Sequence, residues 1–211
     1  MENILIAGAN GAVGQKIVNL LEASQYFNPV AMIRKEEQKK QFESRNIDTV
    51  VRDLEEDISG VTEGIDKVIF AAGSGGKKVV EVDQEGAKKL IDLSNKTKIK
   101  KFVMLSSMGA DSPEDADELK EYLRAKHNAD EYLKSSDLNF AIVRPGSLTD
   151  EPGTGKIILD SKLKSSGEIS RDDVAQTLVR SLHNDSANYS VFEILKGDNL
   201  IATAMNKVSA T

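Results

Sequence analysis

The stretch Gly8-Ala9-Asn10-Gly11-Ala12-Val13-Gly14 constrains this chain more than any other, because it joins a short apolar segment to an amphipathic one. Asn3 to Ala7 is short and apolar enough for a strand buried on both faces, as a parallel sheet requires. Beyond the glycines, Val13, Ile17, Leu20 and Leu21 fall on one helical face. A strand, a glycine turn and a helix in this order form the entry unit of a dinucleotide-binding fold, in which the helix N-terminus offers unpaired N–H groups and a positive dipole end to a diphosphate. Gly8 permits the tight turn, Gly11 lets backbone approach phosphate, and Gly14 lets the helix pack closely on the strand. Asn10, Ala12 and Val13 belong to the same predicted diphosphate loop.

Composition removes several classes of function. The 211 residues suit a single domain, with 39% hydrophobic and 29% charged residues, as in an ordinary folded protein. There is no cysteine, so thiolate catalysis, disulfides and sulfur-ligated metals are excluded. His127 and His183 have no partners at metal-binding spacing, and no metal is expected. A net charge of -6 argues against nucleic acid as a partner, and no apolar run approaches the roughly 20 residues of a membrane span. The start lacks the basic-then-apolar pattern of a secretion signal, so the expected location is cytoplasmic. Lys98, Lys100 and Lys101 read as a solvated strand entrance.

Further strands are expected at Pro29 to Ile33, Asp48 to Val51, Asp66 to Ala72, Phe102 to Leu105, Phe140 to Val143 and Val191 to Leu195. Helices are expected at Glu36 to Phe42, Lys78 to Asn95, Tyr122 to Lys134 and Asp172 to Leu182, with a last short helix from Leu200. Asp111 to Glu121 is a polar connection whose carboxylates read as a solvated helix start. This alternation predicts an α/β fold of the Rossmann type: one doubly wound, mostly parallel sheet in a single domain, residues 1–211. A small C-terminal segment, about residues 147–170 with a short strand near Ile157 to Leu159, is expected to cover the substrate.

In open α/β sheets ligands bind outside the carboxyl ends of the strands. Arg34 follows the second strand, where an acidic residue would hold the ribose 2′-hydroxyl of NAD. A guanidinium there pairs instead with a 2′-phosphate, so NADP(H) is preferred and NAD(H) stands second. Asp53 and Leu54 leave the third strand towards adenine, Ala71, Ala72 and Gly73 end the fourth, and Ser106 and Ser107 end the fifth. Tyr122 and Lys126 stand four residues apart on one helix face. Tyrosine, with a free pKa near 10, is a poor proton donor and acceptor at neutral pH, and a neighbouring ammonium favours its phenolate. Lys126 can also hold a ribose hydroxyl, while Ser107 or Ser106 donates to the substrate oxygen that Tyr122 serves.

The glycine turn, the serines ending strand five, Tyr122 with Lys126, and Arg144-Pro145-Gly146 ending strand six together resemble the short-chain dehydrogenase/reductase superfamily. The glycine spacing and Gly167-Glu168-Ile169-Ser170-Arg171-Asp172-Asp173-Val174-Ala175 are most similar to its small atypical, epimerase-like bacterial members, over nearly the whole chain. The resemblance implies Gly8, Gly11 and Gly14 at the diphosphate, Arg34 at the 2′-phosphate, Asp53 near adenine, and Pro145 near nicotinamide. It implies Tyr122 as acid–base with Lys126 as partner, and Asp83 in place of the usual asparagine. Met108 stands about where extended members often carry the active serine or threonine, so Ser107 is a displaced candidate. Three functions follow: hydride transfer with a small carbonyl or alcohol substrate, reduction of a flavin- or quinone-like ligand, and cofactor sensing without turnover. A homodimer through the Tyr122 helix and the helix before it accords with the same resemblance.

Overall fold

The computed structural model describes residues 1–208. Strand β1 (Glu2–Ala7) passes through the glycine turn into helix α1 (Ala12–Glu22), followed by β2 (Phe27–Ile33), α2 (Lys39–Glu43), β3 (Asp48–Val51) and β4 (Lys67–Phe70). A π-helical stretch, Val79–Gly86, runs into α3 (Ala87–Lys96). Then come β5 (Lys101–Leu105), α4 (Lys120–Lys134), β6 (Phe140–Pro145), β7 (Ser147–Thr149), β8 (Lys156–Asp160) and β9 (Glu168–Ser170). Helix α5 (Arg171–Arg180), β10 (Ser190–Lys196), β11 (Asn199–Leu200) and α6 (Ile201–Met205) complete the order.

Nine strands form one sheet in the order β11-β8-β10-β6-β5-β4-β1-β2-β3. The seven strands from β10 to β3 are parallel, and β8 runs antiparallel to β10. The period of two along each strand supplies two cores. Ile4 and Ile6 of β1 pack with Ile17 and Leu21 of α1 and with Val174 and Leu178 of α5 on one face. Leu5 and Ala7 pack with Leu90 and Ile91 of α3 and with Ala129 and Leu133 of α4 on the other. The strand order reverses between β1 and β4, and the crevice outside their carboxyl ends is the ligand position of such sheets.

Three local expectations are corrected. The helix foreseen over Lys78 to Asn95 is π-wound through its first eight residues and α-helical only from Ala87. The wider turn brings Asp83 inward, while a Cβ on Gly86 would lie 2.9 Å from the Leu54 Cβ. The segment 147–170 is not one cover. Asp172 and Asp173 draw the backbone N–H groups of Gly153, Thr154 and Gly155 to the start of α5, which sends β8 into the main sheet beside β10. Only its two ends, paired as β7 and β9, stay near the glycine turn's side of the sheet.

The third correction concerns Lys101, which is buried rather than solvated. It stands in register with Lys67, also buried, at the amino edge of the sheet. Lys67 pairs with Glu2 at 2.7 Å and donates to the Leu182 carbonyl at 2.8 Å. Lys101 donates to the carbonyls of His183 and Ser186 and to Asn188 Oδ1. Two strand lysines thereby satisfy the carbonyl groups of the turn after α5, which explains their burial. Burial, and the neighbouring Lys67 charge, bring Lys101 down to about 8 from an ordinary 10.5. Between those values the unfolded chain holds a proton that the native state has released, so Lys101's contribution to stability rises with pH through that window. Urea unfolding of wild type and Lys101→Met at several pH values from 7.5 to 10 is expected to show the difference moving in favour of wild type as pH rises.

Candidate functional site

At the carboxyl edge of the sheet a single cleft of about 1230 Å³ runs from the end of β3 past the glycine turn to α4 and the β7–β9 ribbon. Pockets for one drug-sized ligand occupy roughly 300–1,000 Å³, so this cleft has room for a dinucleotide and a second molecule beside it.

The glycine turn forms its floor. Gly8 has φ +88°, and its added Cβ would lie 2.6 Å from the Ala72 backbone. The N–H of Gly11 donates to the Gly8 carbonyl at 2.9 Å, and the first regular helical bond runs from Gln15 N–H to the Gly11 carbonyl. The N–H groups of Ala12, Val13 and Gly14 therefore have no acceptor within the helix and form the anion-facing end of α1. Gly8, Asn10, Gly11, Ala12 and Val13 line the cleft, whereas Gly14 lies beneath it, where a Cβ would be 2.1 Å from the Gly8 carbonyl oxygen. The donor set fits a diphosphate, since Gly8 and Gly11 present bare backbone to the cleft beside N–H groups that have no acceptor within the helix.

Arg34, Asp53, Leu54, Ala71, Ala72, Gly73, Ser106 and Pro145 also line the cleft. The turn carrying Arg34 is closed by Gln38, whose Oε1 accepts the N–H groups of Arg34 and Lys35, both at 3.0 Å. The turn after β3 is tied down by Lys89 of α3, which donates to the carbonyls of Leu54, Glu55 and Glu56. Lys89 was not foreseen. Its only sequence signal is a charge on an otherwise ordinary helix face.

At the other end, α4 presents Tyr122 and Lys126 together, with Lys126 Nζ 5.6 Å from the Tyr122 ring centroid. The π-helical stretch delivers Asp83 to the same place. Asp83 Oδ1 lies 3.0 Å from Lys126 Nζ, and Oδ2 accepts the Ser74 N–H at 3.0 Å. Both members of the ion pair are buried. Burial opposes the charge on Lys126, but Tyr122 and the Asp83 carboxylate outweigh it and hold its pKa above the ordinary lysine value. Lys126 also donates to the Leu105 carbonyl at 3.4 Å, and the Tyr122 hydroxyl has no hydrogen-bond partner among the described residues. This wall joins a polar hydroxyl to a fixed ammonium, an arrangement suited to handling a proton beside an oriented sugar hydroxyl.

The two serines after β5 diverge. Ser106 Oγ donates to Asp130 Oδ2 at 2.8 Å, beneath the cleft wall. Ser107 is half-buried, and its hydroxyl makes only a 3.3 Å contact with the Met108 carbonyl, so Ser107 is the serine whose hydroxyl is free for a ligand. Asp130 is fully buried and ion-paired with Arg144 at 3.0 Å, so one carboxylate joins α4, the exit of β5 and the end of β6. Sequence inspection passed over Asp130. Its signal was a carboxylate one helical turn beyond Lys126, on the same face. Leu119, Met108 and Leu148 add apolar surface to this end of the cleft. Leu119 holds φ +60° at the start of α4 and is 68% exposed, and an apolar side chain within the acidic run Asp111 to Glu121 was the available clue.

Removing one partner of a buried ion pair leaves the other uncompensated, at a cost of about 3–5 kcal/mol. Asp130→Ala is accordingly expected to lower unfolding free energy by an amount in that range, measured by urea denaturation. An Asp130→Ala/Arg144→Met double variant should recover much of the loss.

Comparison with known proteins agrees with this geometry. The profile of a family described as NAD(P)H-binding matches residues 8–185. A Bacillus subtilis (strain 168) protein described as an uncharacterized sugar epimerase, YhfK, is 40% identical over 97% of this chain and 99% of its own. Among solved structures, a candidate NAD-dependent epimerase/dehydratase from Bacillus halodurans superposes with a TM-score of 0.93 at 37% identity, covering 98% of this chain and 100% of that one. The oxidoreductase ylbE from Lactococcus lactis superposes with a TM-score of 0.89 at 32% identity, covering 99% and 97%. The glycine turn, the doubly wound sheet and the cleft at its switch point are thus those of the NAD(P)H-binding family, to whose atypical short-chain dehydrogenase/reductase, epimerase-like members this chain belongs.

Proposed function

We propose that this protein is an NADP(H)-dependent oxidoreductase acting on a small carbonyl or alcohol, with Tyr122 as the acid–base group. The observation that carries the reading is the buried Asp83–Lys126 pair beside the free Tyr122 hydroxyl, in the same cleft as the glycine turn and Arg34. A bound nicotinamide supplies or accepts a hydride. Tyr122 gives its proton to the carbonyl oxygen as the substrate is reduced and takes it back in the reverse direction. Lys126, held by Asp83 and the Leu105 carbonyl, has one N–H left for a ribose hydroxyl. Ser107 donates a hydrogen bond to the same substrate oxygen. Arg34 supports the 2′-phosphate preference, since its guanidinium has no carboxylate partner among the described residues.

A second reading, reduction of a flavin- or quinone-like acceptor, draws on Asp83 offsetting the Lys126 charge and on the apolar Met108, Leu119 and Leu148 surface. Such a reaction needs no dedicated tyrosine.

The chain has no tryptophan, so NADPH and NADH binding can be followed by cofactor fluorescence excited through the nicotinamide. NADPH is expected to bind more tightly than NADH, and Arg34→Asp to abolish that preference by placing a carboxylate against the phosphate. With a carbonyl substrate found by screening, Tyr122→Phe should lower kcat about 100-fold or more, as loss of general acid catalysis does. Unchanged turnover in Tyr122→Phe would instead select the flavin or quinone reading.

A further inference from the structure

Strands β2 and β3 end side by side. Ile33 and Val51 are register partners, and the Arg52 N–H donates to the Ile33 carbonyl at 2.8 Å. Arg34 and Arg52 are thus the first residues beyond two neighbouring strands, whose backbones in a sheet lie about 4.8 Å apart. Both line the cleft and both are exposed.

Their charge is only partly answered within the protein: the bonds from Ser59 and, more weakly, the Arg52 and Lys89 charges lower the Asp57 carboxyl. Three other cations lining the cleft are each paired with a carboxylate: Lys126 with Asp83, Lys78 with Glu55 and Arg171 with Asp150. Lys77 is unpaired but belongs to the glycine-rich loop after β4. Neither arginine at the β2–β3 edge has an ion-pair partner among the described residues, and the Arg52 guanidinium donates only to the Val51 carbonyl at 2.9 Å. Several nearby carboxylates have other partners. Asp53 Oδ1 accepts the Glu55 N–H, Asp57 Oδ1 accepts the N–H and hydroxyl of Ser59, and Glu36 lies 3.6 Å from Lys39. Two arginines on neighbouring strand ends bring two positive charges to one corner of the cleft, which suits a dianion shared between them.

We propose that Arg52 is a specificity-determining residue, the second arm of a two-arginine clamp that closes with Arg34 on the 2′-phosphate of NADP(H). This rests on the reading that the cleft takes the phosphorylated dinucleotide. Each guanidinium presents a planar fork of donors, and a phosphate has oxygens enough to accept from both. Gln38, by fixing the Arg34 backbone, holds one arm in place, while β3 pairing fixes the other.

Calorimetric titration of wild type, Arg34→Gln, Arg52→Gln and Arg52→Lys with NADP+, NAD+, 2′-AMP and 5′-AMP tests the clamp at one salt concentration. Arg52→Gln is expected to weaken NADP+ and 2′-AMP about tenfold or more, the scale of a lost charge-assisted bond, and to leave NAD+ and 5′-AMP within about twofold. Arg52→Lys should recover only part of the loss, because an ammonium keeps the charge without the fork. Both positions are exposed, so thermal unfolding should show the fold intact. If Arg34→Gln erodes the preference and Arg52→Gln leaves the NADP+ to NAD+ ratio unchanged, the clamp is overturned while the cofactor reading stands. Equal binding of NADP+ and NAD+ by wild type would overturn both, and that failure appears before any variant is made.

Discussion

A Cβ on Gly14 would stand 2.1 Å from the carbonyl oxygen of Gly8, closer than any side chain can approach. That contact sets how near α1 lies to β1, and much else follows from it. It aims the unpaired N–H groups of Ala12 and Val13 into the cleft. It also seats Ile17 and Leu21 on the sheet, where α5 packs against the same face and Lys16 of α1 meets Asp172 of α5 at 2.7 Å. Asp172 and Asp173 in turn fix the path of residues 153–155. A steric limit at one glycine thus propagates through a helix pair to the path of the chain that leads into β8.

The two edges of the sheet use charge in opposite ways. At the amino edge, Lys67 and Lys101 are consumed in holding the turn after α5, each surrounded by carbonyl and amide oxygens. At the carboxyl edge, Asp130 with Arg144 and Asp83 with Lys126 form two buried pairs rooted in α4. The lower pair ties α4 to the strand ends, and the upper one faces the cleft. Towards the β2–β3 corner, two exposed arginines without an ion-pair partner among the described residues line the cleft, a part of it that an anionic group suits.

Much of the fold was legible because its signals are local. Strands such as Lys67–Phe70 and Phe140–Pro145 are short apolar runs, and the alternation of strand and helix leaves few ways to wind a parallel sheet. The residues singled out along the chain meet in one cleft because strand carboxyl ends share an edge, with Gly14 beneath it as the helix-packing contact. The π-helical start of the helix before α3 was not legible, since Val79 to Gly86 carries an ordinary helical pattern and only the pull on Asp83 distinguishes it. Ser106 and Ser107 could not be told apart for the same reason: which hydroxyl turns towards Asp130 depends on a residue 24 positions away.

The sequence by itself determined the order of the seven parallel strands and the main helices, the glycine turn and the chemical types gathered at the sheet's carboxyl edge, because these follow from periodicity, sterics and side-chain chemistry within a few residues. Tertiary structure decided which charges are spent on the protein and which are left for a ligand. Lys101 is buried by a turn more than eighty residues away, Asp83 is claimed by Lys126, and β8 is drawn into the sheet by carboxylates at the head of α5. Such pairings are long-range, and buried polar groups must find partners wherever the folded chain brings them.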